Sequence, residues 1–116
     1  MQEAQAFISL GSNLGNKELN LRKALELIST LPDTRIQSLS SIYFTEPQGM
    51  VDQPFFANQV MQLACGSNME PTWLLDQLLQ IEQKMGRVRD ENIRYSSRTI
   101  DLDLLLFDNV QCSGQF

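Results

Sequence analysis

The chain has 116 residues, is 42% apolar and carries a formal net charge of −5, which suits one domain over residues 1–116 with a single core. The acidic balance argues against general binding to nucleic acid or anionic membranes. With no histidine and two cysteines lacking CxxC spacing, Cys65 and Cys112, histidine-based triads, histidine general bases and most zinc sites are excluded, and both thiols are expected to be buried or idle.

Ala6 to Leu10 is a short apolar run closed by Gly11, which predicts a first strand. Gly11 to Asn16 reads as a turn-rich loop. Asn16 is placed to cap a helix in which Leu21, Ala24, Leu25, Ile28 and Leu31 recur at helical spacing until Pro32. Glycine, serine and asparagine before a helix can cradle phosphate, but no Gly-Lys-Ser/Thr follows, so a tight strand-to-helix connection is the default. Ile36 to Thr45 predicts a second strand, and Pro47, Gly49 and Pro54 then interrupt the pattern. Ala57 to Ala64 predicts a third strand, with Asn58 on one side of it. A carboxamide donates and accepts at once, so Asn58 suits the edge of a heterocycle; spacing alone fits a surface amide as well. Pro71 opens a second helix with an apolar stripe of Leu74, Leu78, Ile81 and Met85, and Gly86 ends it.

Residues 87–97 form a polar stretch, and Ile100 to Phe107 predicts the fourth strand. Strict alternation puts Ile100, Leu102, Leu104 and Leu106 on one face and Asp101, Asp103, Leu105 and Phe107 on the other. Two carboxylates on one face repel unless a cation shares the site, and Mg²⁺ is held by one or two carboxylates with phosphates and water. Just upstream, Lys84, Arg87, Arg89, Arg94 and Arg98 stand against only Asp90 and Glu91, a local positive run shaped for phosphate oxygens. Each feature also has a plainer reading, a solvated carboxylate pair and a solvated arginine face. Together they point to a metal-bound polyphosphate.

The order strand, helix, strand, strand, helix, strand predicts an α+β fold: a ferredoxin-like βαββαβ unit, with an antiparallel sheet and both helices on one face. No stretch approaches the roughly 18 apolar residues of a membrane span, and the N-terminus lacks a signal-peptide pattern, so a cytoplasmic protein is expected.

Three segments in order, Gly11-Ser12-Asn13-Leu14-Gly15, Thr45 through Asn58, and Arg94 through Leu105, resemble the 6-hydroxymethyl-7,8-dihydropterin pyrophosphokinase family of folate biosynthesis. The resemblance implies transfer of pyrophosphate from ATP to a reduced pterin, with two Mg²⁺ ions held by Asp101 and Asp103. It implies that Arg87 and Arg98 act in catalysis and that Glu82, Arg89 and Arg94 bind ATP. Thr45, Phe56, Asn58 and Tyr95 would form the pterin pocket. The partners it implies are these small molecules, without nucleic acid or membrane. Tyr95 stands where the family usually has tryptophan, Ser96 and Ser97 replace Gly-Pro, and Glu46 and Gln48 replace less polar residues. The family also continues past this point with a Pro-His-Pro segment, whereas this sequence stops at Phe116, so a fragment or a short relative with weakened or lost catalysis is expected. The competing expectation is a non-catalytic ferredoxin-like module that holds a nucleotide or pterin, or pairs with a partner through an open sheet edge, without turnover.

Overall fold

The computed structural model describes residues 3–46, 55–86, 99–108 and 110–111, the last two through their backbone alone. The elements run β1 (Ala4–Ser12), α1 (Lys17–Ser29), β2 (Thr34–Leu39), β3 (Tyr43–Thr45), β4 (Phe56–Cys65), α2 (Pro71–Lys84), β5 (Asp101–Phe107) and β6 (Val110–Gln111). Strands lie in the order β2-β4-β1-β5-β6, with β3 also paired to β4. Each pairing is antiparallel. This is the ferredoxin-like α+β arrangement, with β1 central between β4 and β5.

Alternation along β1 and β4 divides the sheet into two faces. Ala6, Ile8 and Leu10 of β1, and Ala57, Met61 and Leu63 of β4, are fully buried, as are Leu21, Ala24 and Ile28 of α1 and Leu74 and Leu78 of α2. Burial of this kind contributes about 1.5–3 kcal/mol per large side chain, and it holds both helices to one face. Asn16 caps α1 as its position predicts, its Oδ1 accepting from Leu19 N at 3.1 Å. Gly86 leaves α2 at φ +90, a conformation that favours glycine. Cys65 is buried with its thiol at 3.8 Å from Leu63 O, and burial, with Asp108 and Glu3 adding, pushes that thiol up to about 11 from 9.0.

Four local expectations are corrected. First, Gly11 and Ser12 belong to β1 rather than to a loop, because Gly11 pairs with Asn58 and Ser12 with Ala57. Second, residues 36–45 are two strands. Between them Ser40 joins β4 through Ser40 N to Val60 O at 2.9 Å and Val60 N to Ser40 Oγ at 2.9 Å, while buried Gln59 donates to Ser40 O at 3.0 Å. A serine hydroxyl thus replaces a ladder carbonyl and turns the chain without orphaning a buried group. Third, strict alternation fails at the end of β5. The register shifts between Phe7 and Ile8, so Leu104 faces Ile8 while Leu106 faces Phe7 and Leu105 is the extra residue. This β-bulge turns Phe107 into the core (7% exposed) and Leu106 outward (37% exposed). Fourth, Val110–Gln111 adds a short β6 to β5.

Candidate active site

The face of the sheet away from the helices carries a single row of residues across four strands. Tyr43 of β3 is the cross-strand partner of Asn58 on β4, Asn58 of Gly11 on β1, and Gly11 of Asp101 on β5. Directly opposed residues point to the same face, and strands lie about 4.8 Å apart, so Asn58 and Asp101 are roughly 10 Å apart across Gly11. In a neighbouring row Ser9 pairs with both Val60 and Asp103, which brings the second carboxylate to the same face. On the other side Thr45 pairs with Phe56.

Asn58 is tied down by its own strand neighbours. Its Nδ2 donates to Thr45 Oγ1 at 3.0 Å and to the carbonyls of Tyr43 and Phe56, each at 3.3 Å. Its Oδ1 lies over Gly11, where a Cβ would stand 3.1 Å from Oδ1 and 3.4 Å from Phe56 Cδ1. Gly11 is therefore the floor on which the carboxamide and the aromatic ring rest. Reading the sequence missed it as a site residue, although a glycine inside a strand signals close approach by another group. Tyr43 was missed as well; only the cross-strand register connects it to Asn58.

Asp101 is half-buried and Asp103 exposed, at the start of β5. Among the described residues no three histidine, cysteine, aspartate or glutamate side chains cluster to hold a metal. Two carboxylates on one strand face are hard oxygen donors that leave most of an octahedral shell to water and phosphate oxygens, which is how Mg²⁺ is commonly bound. Between them, Leu102 N donates to Glu82 Oε2 of α2 at 2.7 Å, and the Glu82 side chain is only 2% exposed. Glu82 thus reaches the backbone of the strand that bears the aspartates.

The loop after β1 is braced from α1. Asn20 Nδ2 donates to Ser12 Oγ at 3.1 Å and to Leu14 O at 2.8 Å, and Asn13 is fully buried. The structure thus brings Thr45, Phe56, Asn58, Asp101 and Asp103 to one face and sets Glu82 behind it. Arg87, Arg89, Arg94, Tyr95 and Arg98 lie outside the described residues. A cleft of about 490 Å³ lined by Asp33, Gly66, Glu70 and Trp73 lies at the far end of β4, away from this row.

Comparison with known proteins agrees on one family. The family model described as 7,8-dihydro-6-hydroxymethylpterin-pyrophosphokinase matches residues 7–113. A 2-amino-4-hydroxy-6-hydroxymethyldihydropteridine pyrophosphokinase of Pseudomonas aeruginosa is 43% identical over 103 residues, 89% of this chain and 61% of that protein. The like-named protein of Haemophilus influenzae is 42% identical over 104 residues, 90% of this chain and 62% of its own length. That of Bacillus subtilis is 40% identical over 103 residues, 89% of this chain and 59% of its own. The chain thus spans between 59% and 62% of the length of these curated relatives. No helix among the described residues is long and apolar enough to cross a membrane.

Proposed function

The chain belongs to the 7,8-dihydro-6-hydroxymethylpterin-pyrophosphokinase family, and from that premise we propose that it transfers pyrophosphate from ATP to 6-hydroxymethyl-7,8-dihydropterin. The pterin hydroxyl oxygen attacks the β-phosphorus, the bond between that phosphorus and the α–β bridging oxygen breaks, AMP leaves with that oxygen, and the hydroxyl proton passes to solvent. The observation that carries the reading is the row Tyr43, Asn58, Gly11 and Asp101. It puts the Asn58 carboxamide and the Asp101 carboxylate on one open face, with Asp103 in the neighbouring row, at a separation of about the span of a bicyclic ring and its side arm.

Asn58 holds the ring edge, Phe56 and Tyr95 pack on its faces, and Thr45 keeps the carboxamide oriented through the 3.0 Å hydrogen bond. Asp101 and Asp103 would hold two Mg²⁺ ions, which when bound would neutralise charge on the triphosphate. Arg89 and Arg94 grip phosphate oxygens, while Arg87 and Arg98 offset the charge that develops as the bridging bond lengthens. No covalent nucleophile is required, since the groups of the site act by positioning and by neutralising charge. These are the reactions of a cytoplasmic folate-pathway enzyme.

The test is AMP formation by the full natural protein given ATP, Mg²⁺ and the reduced pterin. AMP and pterin pyrophosphate should appear in equal amounts, and omission of either the pterin or Mg²⁺ should stop both. Tight binding of a non-hydrolysable ATP analogue without AMP formation would overturn transfer and leave a binding module.

A further inference from the structure

We propose that Glu82 is a positioning residue for the carboxylate pair: by holding the backbone of Leu102 it sets the direction of both Asp101 and Asp103. The inference rests on the pyrophosphokinase reading above, and it gives Glu82 a different task from direct contact with the nucleotide. The carboxylate is buried at 2% exposure and its Oε2 lies 2.7 Å from Leu102 N. A buried carboxylate carries a desolvation penalty that an apolar side chain of similar size would avoid. Its short, charge-assisted bond to an amide offsets part of that penalty.

The position of that amide gives the bond its consequence. On its inner side Leu102 pairs with Leu10 of β1, and among the described residues β6 covers β5 only at Leu106 and Phe107. The outer edge of β5 beside the aspartates is therefore held from α2 by the Glu82 side chain. Successive side chains alternate about the strand axis, so a rotation of the backbone at Leu102 swings its neighbours Asp101 and Asp103 together. Glu82 also sits one turn before Gly86, where α2 ends and the sequence passes into the arginine run. One side chain thus fixes the carboxylate-bearing strand to the helix from which the phosphate-binding arginines depart. A metal ligand held by such a partner typically loses on the order of 10- to 100-fold in metal affinity or activity when the partner is removed.

Length and acceptor chemistry separate this role from a direct one. Glutamine keeps the reach and a carbonyl acceptor, whereas aspartate withdraws the acceptor by about 1.5 Å and breaks the bond. The experiment compares Glu82→Gln, Glu82→Asp and Glu82→Ala in the full natural protein by three readouts. These are amide exchange at Leu102 against Leu10 and Met61, calorimetric binding of a non-hydrolysable ATP analogue with and without Mg²⁺, and the split between kcat and KM. Glu82→Gln should stay within about threefold of wild type in Mg²⁺-dependent binding, since the hydrogen bond survives. Glu82→Asp and Glu82→Ala should exchange faster at Leu102 alone, lose about 10- to 100-fold in the Mg²⁺-dependent part, and lose kcat more than pterin KM.

Two results overturn the inference. One is Leu102 exchange that quickens while Mg²⁺-dependent binding stays unchanged. The other is a loss in Glu82→Gln as large as in Glu82→Ala, which would mean that the carboxylate touches metal or nucleotide itself. If Glu82→Asp and Glu82→Ala do not fold, the retention or loss of binding in Glu82→Gln decides alone. Wild-type protein without Mg²⁺-dependent analogue binding would be a different failure, bringing down the pyrophosphokinase reading and this inference with it.

Discussion

Gly11→Ala perturbs the site face at its narrowest point, and the structure lets its two effects be worked separately. Gly11 is not among the residues at positive φ, so alanine fits the backbone without strain. In such a setting replacing glycine stabilises by about 0.4–1 kcal/mol, through fewer unfolded conformations. Against this, the new methyl would stand 3.1 Å from Asn58 Oδ1 and 3.4 Å from Phe56 Cδ1, so the carboxamide must give by a few tenths of an ångström. Any shift stretches its 3.0 Å bond to Thr45 Oγ1, a loss of at most about 0.5–1.5 kcal/mol. The two terms nearly cancel, and stability should change by less than about 1 kcal/mol.

Binding should not be spared in the same way. The methyl occupies the floor between Phe56 and Asn58, so the carboxamide no longer meets the ring edge, a loss of about 1–3 kcal/mol or roughly 5- to 150-fold in pterin affinity. Urea unfolding measures the first quantity and calorimetric titration with the reduced pterin the second. A folded variant with pterin affinity within about twofold of wild type would refute the placement of the pterin over Gly11. Parallel losses of stability and of ATP-analogue binding would refute the separation just argued.

The double variant Asp101→Asn with Asp103→Asn should fold, because the helix-facing side of β5 is untouched, yet should lose Mg²⁺-dependent binding of an ATP analogue in calorimetry; undiminished binding would remove the metal assignment. Arg98→Ala should lower turnover and nucleotide binding together in the AMP assay, and Arg98→Lys should rescue only in part because the planar fork is gone. Stability should fall as pH rises from 9 to about 11, since the unfolded thiol of Cys65 ionises across that range while the folded one keeps its proton. Denaturant titrations over that range should show a shallower decline for Cys65→Ala than for wild type.

The fold was legible because its signals are local. Asn16, Pro71 and Gly86 mark helix ends through capping and fixed dihedrals, and alternation over residues 57–64 puts Ala57, Met61 and Leu63 on the core face, with polar Gln59 among them held there by its bond to Ser40 O. What was not legible depends on partners distant in sequence. That Gly11 continues β1 follows from its pairing with both Asn58 and Asp101, and that residues 36–45 break at Ser40 follows from Gln59 and Val60 meeting that serine. The site shows the same division. Asp101, Asp103 and Asn58 stand out by residue type, whereas Gly11 and Tyr43 join them only through register, and Glu82 acts through a backbone amide twenty residues away.

The bulge in β5 shows how one strand serves both core and site. With a period of two, a residue inserted into the strand sends everything beyond it to the opposite face. The insertion at Leu105 follows the aspartates, so Asp101 and Asp103 keep the outward register of Gly11 and Ser9 while Phe107 returns to the core opposite Ala6. Had it come three pairs earlier, at Leu102, the same sequence would turn Asp103 toward the core opposite Leu10, where burying a charge carries a penalty of several kcal/mol. The order of polar and apolar residues in β5 therefore makes sense only with the bulge in place. The Glu82 bond at Leu102 lies on the near side of it, where the direction of the carboxylates is set.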